Sequence, residues 1–168
     1  MIFVGLGANL ASPVFGPPVR TLEAALARLD RDGCRVVRRS PWYESAPVPA
    51  SDQPWFVNGV AEIATSLSPA ELLARLHGIE AEFGRVRTAP GAARVIDLDL
   101  LVYGEKVLDA SPGPIVPHPR LHARAFVLLP LRDLAPDWVD PRTGRPIEAL
   151  IGDLPPGQQC RPLDCDDA

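Results

Sequence analysis

Cysteine is scarce. The chain has three, Cys34, Cys160 and Cys165, an odd count with no C-x-x-C spacing. That argues against a disulfide framework or a cysteine zinc site and leaves reduced thiols in a cytosol as the simplest reading. No stretch approaches the ~20 consecutive apolar residues of a membrane helix. Met1 leads directly into a strand-like run, with no basic n-region or cleavage site, so a cytoplasmic chain without a membrane partner is expected. Basic residues are not in excess: 17 Lys and Arg stand against 21 Asp and Glu, for a net charge of -4. A sequence-independent hold on nucleic acid needs a basic surface, and none is expected here. The early glycines are not a P-loop, since no G-K-[ST] follows, and G-L-G-A-N does not complete a dinucleotide fingerprint.

What is present points to one domain. A chain of 168 residues, 46% hydrophobic and 23% charged, can bury a sizeable core. Its 20 prolines, roughly twice the usual share, imply many rigid turns. No internal repeat is seen. Residues 1–5 read as a buried strand and Gly5-Leu6-Gly7-Ala8-Asn9 as a flexible turn. Val19, Leu22, Leu26 and Leu29 recur at helical spacing, giving a helix over 18–30. Residues 35–43 and 56–65 read as strands separated by an irregular proline-rich loop. Ser68-Pro69-Ala70-Glu71 is a capping box with proline at the first helical position. The helix it opens buries Leu72, Leu76, Ile79 and Phe83 and stops at Gly84. A polar loop over 85–93, a strand over 95–103, a proline-rich loop over 112–119 and a helix over 121–134, interrupted or ended near Pro130, follow. Residues 1–152 are read as the domain and 153–168 as a mobile tail. Adjoining strands among alternating helices favour an α+β sandwich, a sheet covered by helices.

The chemistry centres on Arg94-Val95-Ile96-Asp97-Leu98-Asp99-Leu100. In a strand, Asp97 and Asp99 share one face while Ile96, Leu98 and Leu100 share the other. Their Cα atoms stand ~6.5–7 Å apart by strand rise. Paired carboxylates repel, and a divalent cation removes the conflict; magnesium prefers carboxylate and phosphate oxygens. The plain alternative is a solvated strand face, and the pair alone does not decide between them. Arg85, Arg87 and Arg94 bracket the loop that leads into this strand, with His118 and Arg124 further on. Any one arginine is more simply surface charge. Clustered, they suit a polyphosphate, whose oxygens the planar guanidinium takes in a fork.

Several segments occur together in a specific order: G-L-G-A-N-L, Y-E-S-A-P-V, D-Q-P-W-F-V-N, I-E-A-E-F-G-R-V-R, R-V-I-D-L-D-L-L-V-Y-G and V-P-H-P-R-L-H-A-R-A-F-V-L-L-P-L. On these the chain resembles the 6-hydroxymethyl-7,8-dihydropterin pyrophosphokinase family of folate synthesis over most of residues 1–140. The resemblance implies a ferredoxin-like fold with a mainly antiparallel sheet. It implies transfer of the β,γ-diphosphoryl group of ATP to the pterin hydroxymethyl, releasing AMP, with two magnesium ions on the triphosphate. It assigns Asp97 and Asp99 to the metal, and Arg85, Arg87, Arg94, Leu100, His118 and Arg124 to ATP. It assigns Phe56 and Phe126 to the two faces of the pterin, and Ser45, Asn58 and the Val48 backbone to its edge. Apart from the resemblance, Phe56 and Phe126 read as core residues; a flat heterocycle also needs aromatic faces. A monomer is expected.

The chain departs from its relatives at Gly113, where some carry a basic residue, at Pro119, where in relatives an aromatic follows the histidine, and above all in the loop before the acidic strand. Gly91-Ala92-Ala93-Arg94 stands where many relatives carry tryptophan-glycine-proline-arginine, so an aromatic lid is absent and loop closure is expected to rest on charge. Two rivals remain open on sequence. One is a metal-dependent phosphohydrolase using the same aspartates with water. The other is a non-enzymatic ligand-binding module, which has no use for two metal-spaced aspartates.

Overall fold

A computed structural model describes residues 1–85 and 93–164. The first strand, β1 (Ile2–Ala8), runs straight through the glycines. The expected turn at Gly5 is therefore corrected: Val4, Leu6 and Ala8 are buried on one face, and Gly5 and Gly7 continue the strand on the other. Strand periodicity prevails over the turn preference of glycine.

The order continues α1 (Pro18–Leu29), β2 (Cys34–Arg39), β3 (Tyr43–Ser45), β4 (Phe56–Thr65), α2 (Pro69–Glu82), β5 (Asp97–Tyr103), β6 (Leu108–Asp109) and β7 (Ile115–Val116). A 3-10 turn (Leu121–Ala123), α3 (Ala125–Leu134), α4 (Ile147–Gly152) and β8 (Cys160–Pro162) complete it. The single strand expected over 35–43 is two, β2 and β3, parted at Pro41, which has no N–H for the ladder. Ser40 spans the break: its N–H donates to the Val60 carbonyl at 2.9 Å, and the Val60 N–H donates to its hydroxyl at 3.0 Å.

Among the described residues the main sheet has six strands, all antiparallel. β4 pairs with β1 along one edge and with β2 and β3 along the other; β5 lies beyond β1, and β8 beyond β3. On one face α1 and α2 bury Leu22, Leu72, Leu76 and Ile79 against Val4, Leu6, Ile63, Leu98 and Leu100. On the other, α3 and α4 bury Leu128, Leu131 and Ile147 against Phe3, Val60, Leu101 and Val102. Each such side chain contributes roughly 1.5–3 kcal/mol of burial. The result is the expected sheet covered by helices, which here pack on both of its faces.

Local signals position the site. The Glu71 N–H donates to the Ser68 hydroxyl at 3.2 Å and the Ser68 N–H to the Glu71 carboxylate at 2.7 Å, completing the capping box that opens α2. After α2, Gly84 adopts φ +86°, a left-handed turn that suits glycine and delivers Arg85 to the sheet. Contrary to the expected break, α3 runs through Pro130 to Leu134. Only the bond to the Phe126 carbonyl is forgone, and the buried face of Val127, Leu128, Leu131 and Leu134 holds the helix. The segment expected as a tail adds β8 to the sheet edge. Among the described residues no helix is long and apolar enough to cross a membrane.

Candidate active site

α3 and α4 cover only part of their face of the sheet. Beyond Phe3 and Val60 that face is floored by Gly5 and Gly7. Opposite them on β5 lie Asp99 and Asp97, and opposite Gly7 on β4 lies Asn58. Directly paired residues share a face, so two carboxylates flank a strip of bare backbone, and Phe56, two residues from Asn58, shares its face. Leu98 and Leu100 turn into the opposite core; Leu100 is 4% exposed, and its side chain points away from the aspartates.

The floor has no spare room at Gly7. A Cβ there would lie 2.9 Å from Asn58 Oδ1, closer than real contacts allow. Gly7→Ala is expected to push the Asn58 side chain out of place and to weaken binding of a ligand on this floor by about tenfold, equivalent to one hydrogen bond lost. Ligand titration of the variant checks this, and unchanged affinity would mean that the ligand lies elsewhere.

Asp97 is neutralised within the protein. Arg85 donates to Oδ1 at 2.6 Å and Arg94 to Oδ2 at 2.8 Å. Arg85 also pairs with Glu80, a buried residue of α2 whose carboxylate accepts the Leu98 N–H at 3.1 Å. Burial raises the Glu80 pKa, opposed by the Leu98 N–H and by Arg85. Among the described residues no group donates a hydrogen bond to the Asp99 carboxylate. Burial, and then the charge of Asp97, push its pKa up to about 7, against the pull of Arg124.

The far wall comes from the segment after β7. The His118 N–H donates to the Leu101 carbonyl at 2.8 Å, and its Nδ1 accepts the Arg120 N–H at 3.1 Å. Burial, with the charges of Arg124 and Arg120, lowers its pKa to about 4. The ring is therefore neutral near pH 7, with its proton on Nε2. The Arg124 guanidinium carbon lies 5.3 Å from the Phe126 ring centroid. Burial lowers the Arg124 pKa, opposed by Asp99.

On the other side of the floor, Asn58 Nδ2 donates to Ser45 Oγ at 2.6 Å, and both residues are buried. Phe56 pairs with Ser45 in register. Val48 is 62% exposed in the loop between β3 and β4. The structure thus gathers Asp97, Asp99, Arg85, Arg94, His118 and Arg124 around one floor, with Asn58 and Phe56 of β4 and Ser45 of β3 along its other side. Arg87, and the loop closure expected between Arg87 and Arg94, lie outside the described residues.

Two residues that hold Arg85 and Arg94 in place were missed on sequence. Glu80 is one: a charged side chain flanking the Leu76–Ile79–Phe83 stripe was the available signal. Asn9 is the other. Its Oδ1 accepts the Arg94 N–H at 2.9 Å, and its Nδ2 donates to Gln53 Oε1 and the Pro54 carbonyl, each at 3.0 Å. Its own N–H and that of Leu10 donate to the Arg94 carbonyl. Asn9 so ties the root of Arg94 to the loop that leads into Phe56. Its only sequence signal was a polar residue closing a buried strand.

Among the described residues no three His, Cys, Asp or Glu side chains form a metal-holding cluster. Two carboxylates, one of them poorly neutralised, fit magnesium, which keeps waters and takes substrate phosphate oxygens, better than a metal held in an all-protein cage.

The chain belongs to the 7,8-dihydro-6-hydroxymethylpterin-pyrophosphokinase (HPPK) family, whose model matches residues 3–136. It is 46% identical over 92% of its length to the Pseudomonas aeruginosa protein named 2-amino-4-hydroxy-6-hydroxymethyldihydropteridine pyrophosphokinase, covering 91% of that protein. The Synechocystis protein of the same name is 44% identical over 88% of this chain and 73% of its own length. A Plasmodium falciparum HPPK-DHPS crystal structure matches 90% of this chain and 43% of its own, with a TM-score of 0.67 at 14% identity. That likeness bears on the fold alone and agrees with the ferredoxin-like α+β sandwich.

Proposed function

We propose that this pyrophosphokinase transfers the β,γ-diphosphoryl group of magnesium-ATP to the hydroxymethyl group of 6-hydroxymethyl-7,8-dihydropterin, giving AMP and the pterin diphosphate, in the cytoplasmic synthesis of folate. The observation that carries the reading is the glycine floor between a carboxylate pair and a buried amide–hydroxyl pair. One side suits a metal-bound triphosphate; the other suits the edge of a heterocycle.

The residues take distinct roles. Arg85 and Arg94, now held by Asp97, have the fork geometry for phosphate oxygens. Nucleotide binding would exchange their carboxylate partner for phosphate and leave Asp97 and Asp99 to the cations. Two magnesium ions held there would supply charge neutralisation along the triphosphate. Arg124 adds positive charge from the far wall. His118 is neutral and donates from Nε2 to a nucleotide oxygen. Ser45 accepts from Asn58 and keeps its own O–H to donate, while Asn58 Oδ1 remains an acceptor. That pair reads one donor and one acceptor on the pterin edge. Phe56 and Phe126 offer the flat faces, and the Val48 backbone a further edge contact. So held, the pterin oxygen attacks the β-phosphorus and loses its proton as the bond from that phosphorus to the α-phosphate oxygen breaks. Positioning supplies much of the rate.

Phe126→Ala is expected to weaken pterin binding by about tenfold, since a stacked aromatic contributes ~0.5–1.5 kcal/mol beyond its area burial. Binding of an ATP analogue should change little. Separate titrations check this, and equal losses for both ligands would reassign Phe126 to the core. The function itself is tested by incubating the protein with magnesium and ATP, with and without the pterin, and separating the nucleotides. AMP should form only with the pterin. AMP formed equally without it would favour the phosphohydrolase reading.

A further inference from the structure

The segment after α4 lies beyond residues 3–136 matched by the family model, yet it returns to the site. Gln158 Oε1 accepts the Ala125 N–H at 2.9 Å, and its Nε2 donates to the Ala123 carbonyl, also at 2.9 Å. One side chain therefore brackets Arg124 on both sides. The next residue continues the tie: the Gln159 carbonyl accepts the Ala46 N–H at 3.0 Å, and Cys160 pairs with Ser45 in β3.

The start of α3 shows why this matters. A helix opens with N–H groups that need an outside acceptor, and Ser, Thr, Asp or Asn usually provides it from the cap position. Here the cap position is Arg124, which offers no side-chain cap bond and carries no acceptor on its side chain. Instead its guanidinium reaches over the Phe126 ring. The acceptor comes from Gln158, 33 residues away. Supplying the cap from a distance frees position 124 for an arginine while keeping the helix start fixed.

We propose that Gln158 is a positioning residue for the reaction: by capping α3 from outside, it fixes Arg124 toward the nucleotide and Phe126 toward the pterin. The inference rests on the proposed assignment of those two residues to their ligands.

The test compares Gln158→Met, which keeps the length but removes both hydrogen bonds to the start of α3, with Gln158→Glu, which keeps the acceptor and loses the donor. Loss of a helix cap typically costs ~1 kcal/mol, so the Met variant should raise KM for both ATP and the pterin about fivefold. The Glu variant should recover part of that loss, since it still accepts the Ala125 N–H but sets an oxygen against the Ala123 carbonyl. In an Arg124→Ala background the Met substitution should add little to the ATP KM, because it acts through Arg124; a merely structural role would be additive. A folded Met variant with wild-type KM values, a Glu variant as impaired as Met, or full additivity with Arg124→Ala would each overturn the proposal. A wild-type protein inert toward the pterin would overturn the function itself. Exchange of the Ala125 amide, expected to be about fivefold faster in the Met variant, would then still show whether Gln158 holds the segment. Unchanged exchange would overturn that too.

Discussion

Asp99→Asn is expected to lower kcat by about a hundredfold or more, in line with the loss of a charge-stabilising group in a water-poor site, and to make the metal-free protein more stable. The two effects share one cause. The Asp99 pKa is raised from 3.8 to about 7, so the fold favours the neutral acid. The native state therefore loses stability as pH rises from about 4 to about 7 and does not regain it above. Asparagine carries no such charge. With metal chelated at pH 8, the variant should melt about 5 °C higher than the wild type, while at pH 4 the two should agree. Thermal melts at both pH values, with turnover measured beside them, decide the matter. A variant that melts lower at pH 8, or that retains turnover, would remove Asp99 from the metal role.

Glu80→Ala should have the largest effect on the fold. Glu80 is 2% exposed, and its partner Arg85 has a side chain 14% exposed. Removing one member of a buried ion pair typically costs 3–5 kcal/mol (roughly), because the other charge stays behind. Here the Leu98 N–H also loses its acceptor, which loosens β5 between the two aspartates. Urea denaturation should give a loss within that range. Glu80→Gln, which keeps an acceptor for Leu98, should lie between the two. A loss no greater than the ~1 kcal/mol of a surface pair would show that Arg85 needs only Asp97.

The residues whose placement was legible in the sequence are those positioned by local chain geometry. Asp97 and Asp99 announce themselves by strand alternation, and the α2 cap by four consecutive residues. Arg85 and Arg94 flank one loop, so their nearness to Asp97 follows from chain connectivity. What escaped depends on distant partners. Asn9 meets Arg94 across 85 positions, Glu80 meets Leu98 across 18, and Gln158 meets Ala125 across 33. No local periodicity encodes such pairs. Gly5 and Gly7 misled for a different reason. Glycine usually marks a turn, whereas in β1 it keeps the sheet face bare, and that use is visible only once Asp97, Asp99 and Asn58 are seen beside it. Pro130 likewise reads as a breaker, because its helix is held by packing rather than by its own hydrogen bonds.

The most direct measurement is phosphorus NMR of a reaction containing the protein, magnesium, ATP and 6-hydroxymethyl-7,8-dihydropterin. Two coupled resonances of a diphosphate ester on the pterin should grow in step with AMP, and both should be absent when the pterin is omitted or the metal chelated. ADP with a pterin monophosphate, or free diphosphate with no pterin ester, would contradict the account.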